Sequence, residues 1–339
     1  MKQQLNVLEY MRSIAPAPKE GFRKSKLSDW TDYWLTQYCT NIKQSTLNSY
    51  DSAVKLHINR VLGDIDLKDL NADDVQLFIN SLTMGIGLDA CMSPKTVKNI
   101  HGVLHKCLAV AVHIKLIAEN PAEMTALPRL EKSEIQPLDS KELTAFLRAI
   151  KGHSKEKLFK VAVFTGLRQA ELIGLTWDCI HFDEGYIHVY RQLVKQKGKG
   201  GSFVFTSLKN SKPRKIFPAE TVMQMFREIK AENSFPKSQF VFTNESGNHY
   251  THAAVYNSFK KIMKKIGYPD FTFHDLRHTY AMLSLKAGDD IKTLQENMGH
   301  HSAAFTLDVY GHCNDEMKRV SGGKMEQLIS TVILPSEDE

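Results

Sequence analysis

The stretch FHDLRHTYAMLSLKAGDDIKTLQENMGHHSAAFTLDVY, Phe273 to Tyr310, decides how the rest of the chain is read. His274 and Arg277 stand three apart at the head of an apolar-periodic run, Tyr280, Leu283 and Leu285, which Gly288 can end. Residues three apart share a helix face, so an imidazole and a guanidinium can converge there on one anion. A second helical segment, Ile291 to Met298, delivers Gly299-His300-His301, and a third run closes on Tyr310. A guanidinium fork suits phosphate or carboxylate, and histidine moves protons near neutral pH. A tyrosine hydroxyl beside such groups can attack phosphorus. Each feature alone has a plainer explanation: a tyrosine on an apolar helix face is ordinarily core, and His three before Arg is ordinarily incidental. The joint pattern is what points to chemistry.

The 339 residues are enough for two cores, since single domains usually run about 100 to 200 residues. A net charge of +6 and a pI near 8.9 favour a polyanionic partner only weakly, so the placement of the charge matters more. The five cysteines, Cys39, Cys91, Cys107, Cys179 and Cys313, are scattered and form no C-x-x-C pair. That fits a reducing cytoplasm and no cysteine-type zinc site. No apolar run approaches the ~18 residues of a membrane span, and no signal-peptide pattern opens the chain, so a cytoplasmic protein without membrane partners is expected.

Residues 1–26 read as a basic leader broken by Pro16, Pro18 and Gly21. From 27 to 127 the pattern is all-helical. Ser28 can cap a helix carrying Trp30, Tyr33, Trp34 and Tyr38, and Ser45 can cap a second through Leu47, Tyr50, Val54, Ile58 and Val61, with Gly63 past its end. Asn71 with Asp73 and Asp74 opens a third. Ser93 as N-cap and Pro94 at N1 open a fourth that runs to about Ile117. Its apolar face holds Val97, Ile100, Leu104, Leu108 and Ala111, while Lys95, Lys98, Gly102 and Lys106 line the other side. A charged stripe is usually a solvated face, but this one is all positive, which suits DNA phosphates. Residues 128–137, with two prolines and mixed charge, read as a linker.

Asp139 and Glu142 have capping-box spacing and start a second domain, expected over 138–321. Past Cys179 the period changes to two, giving expected strands over 180–182, 186–193, 202–206 and 215–217. Between Gly185 and Ala219 there is no acidic residue, yet Arg191, Lys195, Lys197, Lys199, Lys209, Lys212, Arg214 and Lys215 all occur. Cations unrelieved by any anion along a β-ribbon suggest a polyanion surface. Residues 322–339 form a tail: Gly322-Gly323, then Met325, Leu328, Ile329 and Val332 at helical spacing.

His274-x-x-Arg277, Gly299-His300 and Tyr310, together with Thr165-Gly166-Leu167-Arg168-Gln169-Ala170-Glu171-Leu172 upstream, resemble the tyrosine recombinases. This is the integrase family of phages and conjugative transposons, the latter above all. The resemblance implies a two-domain clamp, mainly α with a small antiparallel β-sheet: a helical core-binding domain and an α+β catalytic domain. Many such integrases carry a small arm-DNA-binding domain ahead of these. The leader is too short for it, so it is expected to be absent here, by nature or by truncation. The family's catalytic lysine sits in a turn before a strand ending in an apolar-Pro pair. Ile216-Phe217-Pro218 supplies that ending, and Lys209 stands nine before the proline, with Lys212 as competitor.

The implied catalytic set is Arg168, Glu171, Lys209, His274, Arg277, His300 and Tyr310, with neither metal nor other cofactor. Tyr310 would attack a DNA phosphodiester, leaving a 3′-phosphotyrosyl bond and a 5′-hydroxyl. The DNA-contact candidates are Lys95, Lys98, Lys106, Arg191, Lys195, Lys197, Lys199, Lys212, Arg214 and Lys215. Implied partners are double-stranded recombination sites, further copies of the chain assembling as dimers and then tetramers through the tail, and an accessory directionality factor. Three rivals stand beside this reading. A type IB topoisomerase shares the chemistry. A metal-dependent phosphoesterase could use His274, His278, His300, His301 and His312. A catalytically dead DNA-binding protein is the third.

Overall fold

In the computed structural model the described residues are 25–86, 90–130, 137–196, 201–208, 212–232, 234–299 and Gly323. The chain divides into two compact units, Met1–Ser133 and Glu134–Glu339.

The first unit is helical. Helix α1 (Leu27–Gln37) starts one residue before the expected serine cap, because Asp29 accepts from the Lys26 amide at 3.2 Å and Leu27 N–H reaches the Ile65 carbonyl at 2.8 Å. Helix α2 (Gln44–Ala53) likewise precedes Ser45, then widens through a π-helical turn (Val54–Ile58) into a short α3 (Asn59–Val61). Helix α4 (Ala72–Met84) has the expected cap, with Asn71 Oδ1 accepting from the Asp74 amide at 3.0 Å. Helix α5 (Pro94–His113) has Ser93 as its cap but stops short of Ile117. Trp30, Val54, Ile58, Phe78, Leu104 and Leu108 make the core, and Trp30 Nε1 donates to the Cys107 carbonyl at 3.2 Å, tying α1 to α5.

The second unit opens with α6 (Ser140–Ala149), capped by Asp139 in a box with Glu142. Next come α7 (Glu156–Thr165) and the short α8 (Gln169–Ile173). Strands β1 (Ile180–His181), β2 (Tyr186–Val189) and β5 (Arg214–Ile216) form an antiparallel sheet in the order β1-β2-β5. Strands β3 (Arg191–Lys195) and β4 (Phe203–Ser207) pair apart from it, so the strand expected over 186–193 breaks at Tyr190. Helices α9 (Glu220–Ala231), α10 (His252–Lys265), α11 (Asp275–Ala287) and α12 (Ile291–Met298) follow.

Phe146, Phe159, Phe259 and Phe273 form an aromatic centre, with Phe259 and Phe273 edge-on at 5.8 Å. Phe273, buried just ahead of the His274 N-cap, anchors the start of α11 at Asp275. Helix α12 packs on α11 through Leu294 and Met298 against Ala281 and Leu285.

Candidate active site

The site is built on two left-handed glycines. Gly166 ends α7 at φ +61°, and its carbonyl accepts from Arg277 Nη1. The turn sets Arg168 at the N-cap position of α8 in extended backbone, where Glu171 accepts its amide at 3.0 Å. The same carboxylate accepts from Arg168 Nη1 at 2.9 Å and from Arg214 Nη1 and Nη2 at 3.2 and 2.7 Å. An ionised carboxylate has about four acceptor positions, and all are used. Burial pushes the Glu171 pKa up, but the charge and hydrogen bonds of Arg214, then those of Arg168, prevail and hold it at about 2.

Gly299 ends α12 at φ +62°. The last carbonyls of a helix lack intrahelical partners and carry the negative end of its dipole, so cations collect there. Three arginines take three consecutive carbonyls. Arg214 Nε donates to Asn297 at 2.8 Å, Arg277 Nη2 donates to Met298, and Arg168 Nη2 donates to Gly299 at 2.9 Å. Arg168 keeps 28% of its side chain exposed, whereas Arg277 is buried.

His274 occupies the N-cap position of α11, and its ring meets that of His278 edge-on at 4.9 Å. Though the surface of His274 is exposed, the protein behind the ring lowers its pKa, and Arg277 adds to this against Asp275. His278 is pushed down to about 4, by burial first and by His274 second. Both shifts favour the neutral ring, and neutral imidazole can accept a proton. Among the described residues no group of three or more His, Cys, Asp or Glu is spaced to hold a metal ion. No described helix is long and apolar enough to cross a membrane. Lys209, His300 and Tyr310 lie outside the described residues, as do Lys197, Lys199, His301 and His312.

The structure corrects one DNA-contact expectation. Arg214 is buried under Glu171 and does not face outward from the ribbon. The signal was in the strand period: Arg214 shares its face with buried Ile216, and Lys215 between them is exposed. Arg191 is half-buried, with Nη2 on Asp178 at 3.1 Å and its guanidinium over Phe205 at 4.3 Å from the ring centre. Lys195 and Lys212 are exposed, and so is Lys215, whose ammonium lies 4.3 Å from the centre of the Tyr186 ring. On α5, Lys95 and Lys106 are exposed and Lys98 is half-buried, and nothing lies within 4 Å of where a Gly102 side chain would be. Lys106 also donates to the Tyr50 hydroxyl at 2.9 Å.

Residues 136–317 match the model of the phage integrase family, and residues 26–83 match the N-terminal SAM-like domain of phage integrases. The chain belongs to the phage integrase family. It is a site-specific tyrosine recombinase, an enzyme that cuts and rejoins DNA. It is 26% identical to a XerC-like tyrosine recombinase of Caldanaerobacter subterraneus over 91% of this chain and 85% of that one. Identity to the ICEBs1 integrase of Bacillus subtilis is also 26%, over 92% and 86%. The transposase of transposon Tn916 from Enterococcus faecalis is 28% identical over 69% and 64%. Among solved structures, the integrase of transposon Tn1549 in complex with a circular intermediate DNA aligns with a TM-score of 0.75 at 22% identity, over 90% of this chain and 99% of that one. A lambda integrase tetramer bound to a Holliday junction gives 0.65 at 20%, over 87% and 86%. At these identities the structural likeness is one of fold.

Proposed function

We propose that this chain integrates or excises a mobile element by pairing two duplex DNA sites and exchanging their strands through a 3′-phosphotyrosyl intermediate. One observation supports this most: Arg168 and Arg277 grip the Gly299 and Met298 carbonyls, so both guanidiniums sit at the segment that runs directly into His300. Arg168, Arg277 and His300 then neutralise the non-bridging oxygens of the pentavalent transition state with fixed donors. Glu171 orients Arg168. Tyr310 attacks phosphorus, and His274, whose partial burial favours the neutral ring, takes the phenol proton. Tyrosine ionises at about pH 10 in water, and the surrounding cations favour the phenolate.

Lys209 protonates the departing 5′-oxygen. A substrate with sulfur at that bridging position needs no such proton, so it restores cleavage to Lys209→Ala; rescue of Lys212→Ala in its place would move the role to Lys212. The new 5′-hydroxyl of a partner strand attacks the phosphotyrosine, whose stored bond energy makes ATP and a metal unnecessary. Basic side chains of α5 and the ribbon hold the backbone. The protein works in the cytoplasm, as a dimer on each site and a tetramer on two, docked through residues 322–339, with direction set by an accessory factor. Solved lambda integrase complexes, a dimer on a core site and a tetramer on a Holliday junction, set the pattern for this assembly.

The test is strand exchange in EDTA between two labelled duplexes carrying the sequence that the chain retains from a randomised duplex pool. Recombinant products are expected. Plasmid relaxation without exchange would indicate a topoisomerase, and activity lost in EDTA would indicate a metal-dependent phosphoesterase.

A further inference from the structure

Arg214 has no place in the reaction as assigned above, yet it is almost wholly enclosed among the residues that have one, with 6% of its side chain exposed. We propose that Arg214 is a positioning residue for strand cleavage: it holds Arg168 through Glu171, and it holds the end of α12 through the Asn297 carbonyl. The proposal rests on Arg168 and His300 as phosphate ligands.

Two guanidiniums share one carboxylate, which leaves the trio with a net positive charge. Without Arg214 the Glu171 carboxylate would lean on Arg168 alone, drawing its guanidinium inward and cancelling its field at the phosphate. The second contact acts on the backbone. A side chain at Gly299 would approach Arg214 Nη1 to 3.0 Å, so the chain turns toward His300 directly against this guanidinium. The third link is the strand. Arg214 sits in β5, paired with Val189 of β2, five residues after Lys209 in sequence. One buried side chain thus joins the Arg168 turn, the approach to His300 and the strand that follows Lys209. Each must be held to within about an ångström, since misplacement on that scale costs roughly 10²-fold in rate.

The experiment uses the full chain and a nicked duplex bearing the selected site, on which cleavage traps the covalent adduct. Arg214→Met removes the charge at similar length, and Arg214→Lys keeps it with one donor group. Half-site binding and the melting transition are measured beside the single-turnover cleavage rate. The expected result is binding within about threefold of wild type, with cleavage slowed roughly 10²-fold in Arg214→Met and about tenfold in Arg214→Lys. The deficit of Arg214→Met relative to wild type should also shrink as the pH falls, because burial then governs the Glu171 carboxylate and its protonation removes the charge that draws Arg168 inward. The double variant Arg214→Met/Glu171→Gln should be no slower than Arg214→Met, since contacts in one network do not add.

A residue of purely structural value would shift melting and leave the rate and pH profile unmoved well below it. That outcome overturns the proposal, as does full multiplication of the two single effects. If Arg214→Met does not fold, wild-type cleavage by Arg214→Lys overturns it equally. Arg168→Ala separates the two levels: its cleaving normally removes the assigned site itself, whereas its inactivity beside a normal Arg214→Met removes only this inference.

Discussion

The ring of Tyr280 fills the space that a side chain on Gly166 would need: a Cβ there would fall 2.3 Å from Tyr280 Cδ1. The carbonyl of the same glycine receives Arg277, so helix α11 is fastened to this turn by a close contact and by a charge-assisted hydrogen bond. Gly166→Ala should cost about 1–2 kcal/mol for the left-handed backbone and a further ~1–3 kcal/mol for the clash. Thermal unfolding checks this. Adding Tyr280→Leu, which keeps a Cγ but drops the rigid ring, should recover some of the packing part and none of the backbone part. An unchanged melting temperature in Gly166→Ala would contradict the contact.

Affinity for duplex DNA should fall steeply with salt, because each phosphate neutralised releases counterions at a log–log slope of about −0.9. Replacing Lys95, Lys98 and Lys106 with alanine should reduce the slope by up to about 3 and weaken binding to all sequences alike. An unchanged slope would mean that the α5 stripe is only solvated.

Stability should fall in two acid windows. The folded-state pKa of His278 is depressed to about 4, so the unfolded chain takes up a proton first. Stability from that group is complete above about 6.5 and is lost as the pH falls toward 4, by at most about 3 kcal/mol. Glu171, held at about 2, contributes stability that is present above about 4.5 and lost as the pH falls through 2. Denaturant unfolding from about pH 7.5 down to about pH 1.5 measures both. His278→Asn should reduce the loss in the upper window, which His57, His101, His153, His252 and His274 share because burial lowers them too, and leave the lower window unchanged; a wild-type curve level between about pH 6.5 and 4 would contradict the buried neutral ring.

What the sequence disclosed depended on whether neighbours in the chain or neighbours in space decide the outcome. The caps of α4, α5 and α6 are local hydrogen bonds, and Asn71, Ser93 and Asp139 revealed them. Ser28 misled because the start of α1 is set by the distant Ile65 carbonyl and a bridge from Lys26 to Asp66. The Arg168 turn and the His274–Arg277 spacing were legible as motifs, but the carbonyls of Asn297, Met298 and Gly299 as a shared anchor were not. No side-chain pattern marks a backbone acceptor. Arg214 was misread because a run of like charge was weighed above strand alternation, which put it on the face of Ile216.

Apart from Gly323, which is helical and exposed, the tail after Tyr310 lies outside the described residues, and its pattern supports a prediction of its own. A helix of about ten residues does not hold in water alone, so Met325, Leu328, Ile329 and Val332 must bury their face on protein. A neighbouring copy is the expected receiver, in a head-to-tail contact that can close a ring. Deleting residues 324–339 should spare half-site binding and abolish cooperative pairing of two sites in a mobility-shift assay. Undiminished synaptic complexes would place the tail on its own subunit.

In the proposed reaction Tyr310 forms the covalent bond to DNA. The most direct measurement is peptide mapping of the adduct trapped on the nicked selected site, beside the same reaction with Tyr310→Phe. A nucleotide-bearing peptide modified at Tyr310, with no adduct from Tyr310→Phe despite near-normal site binding, is the expected result. An adduct on any other side chain, or one formed by Tyr310→Phe, would contradict the account.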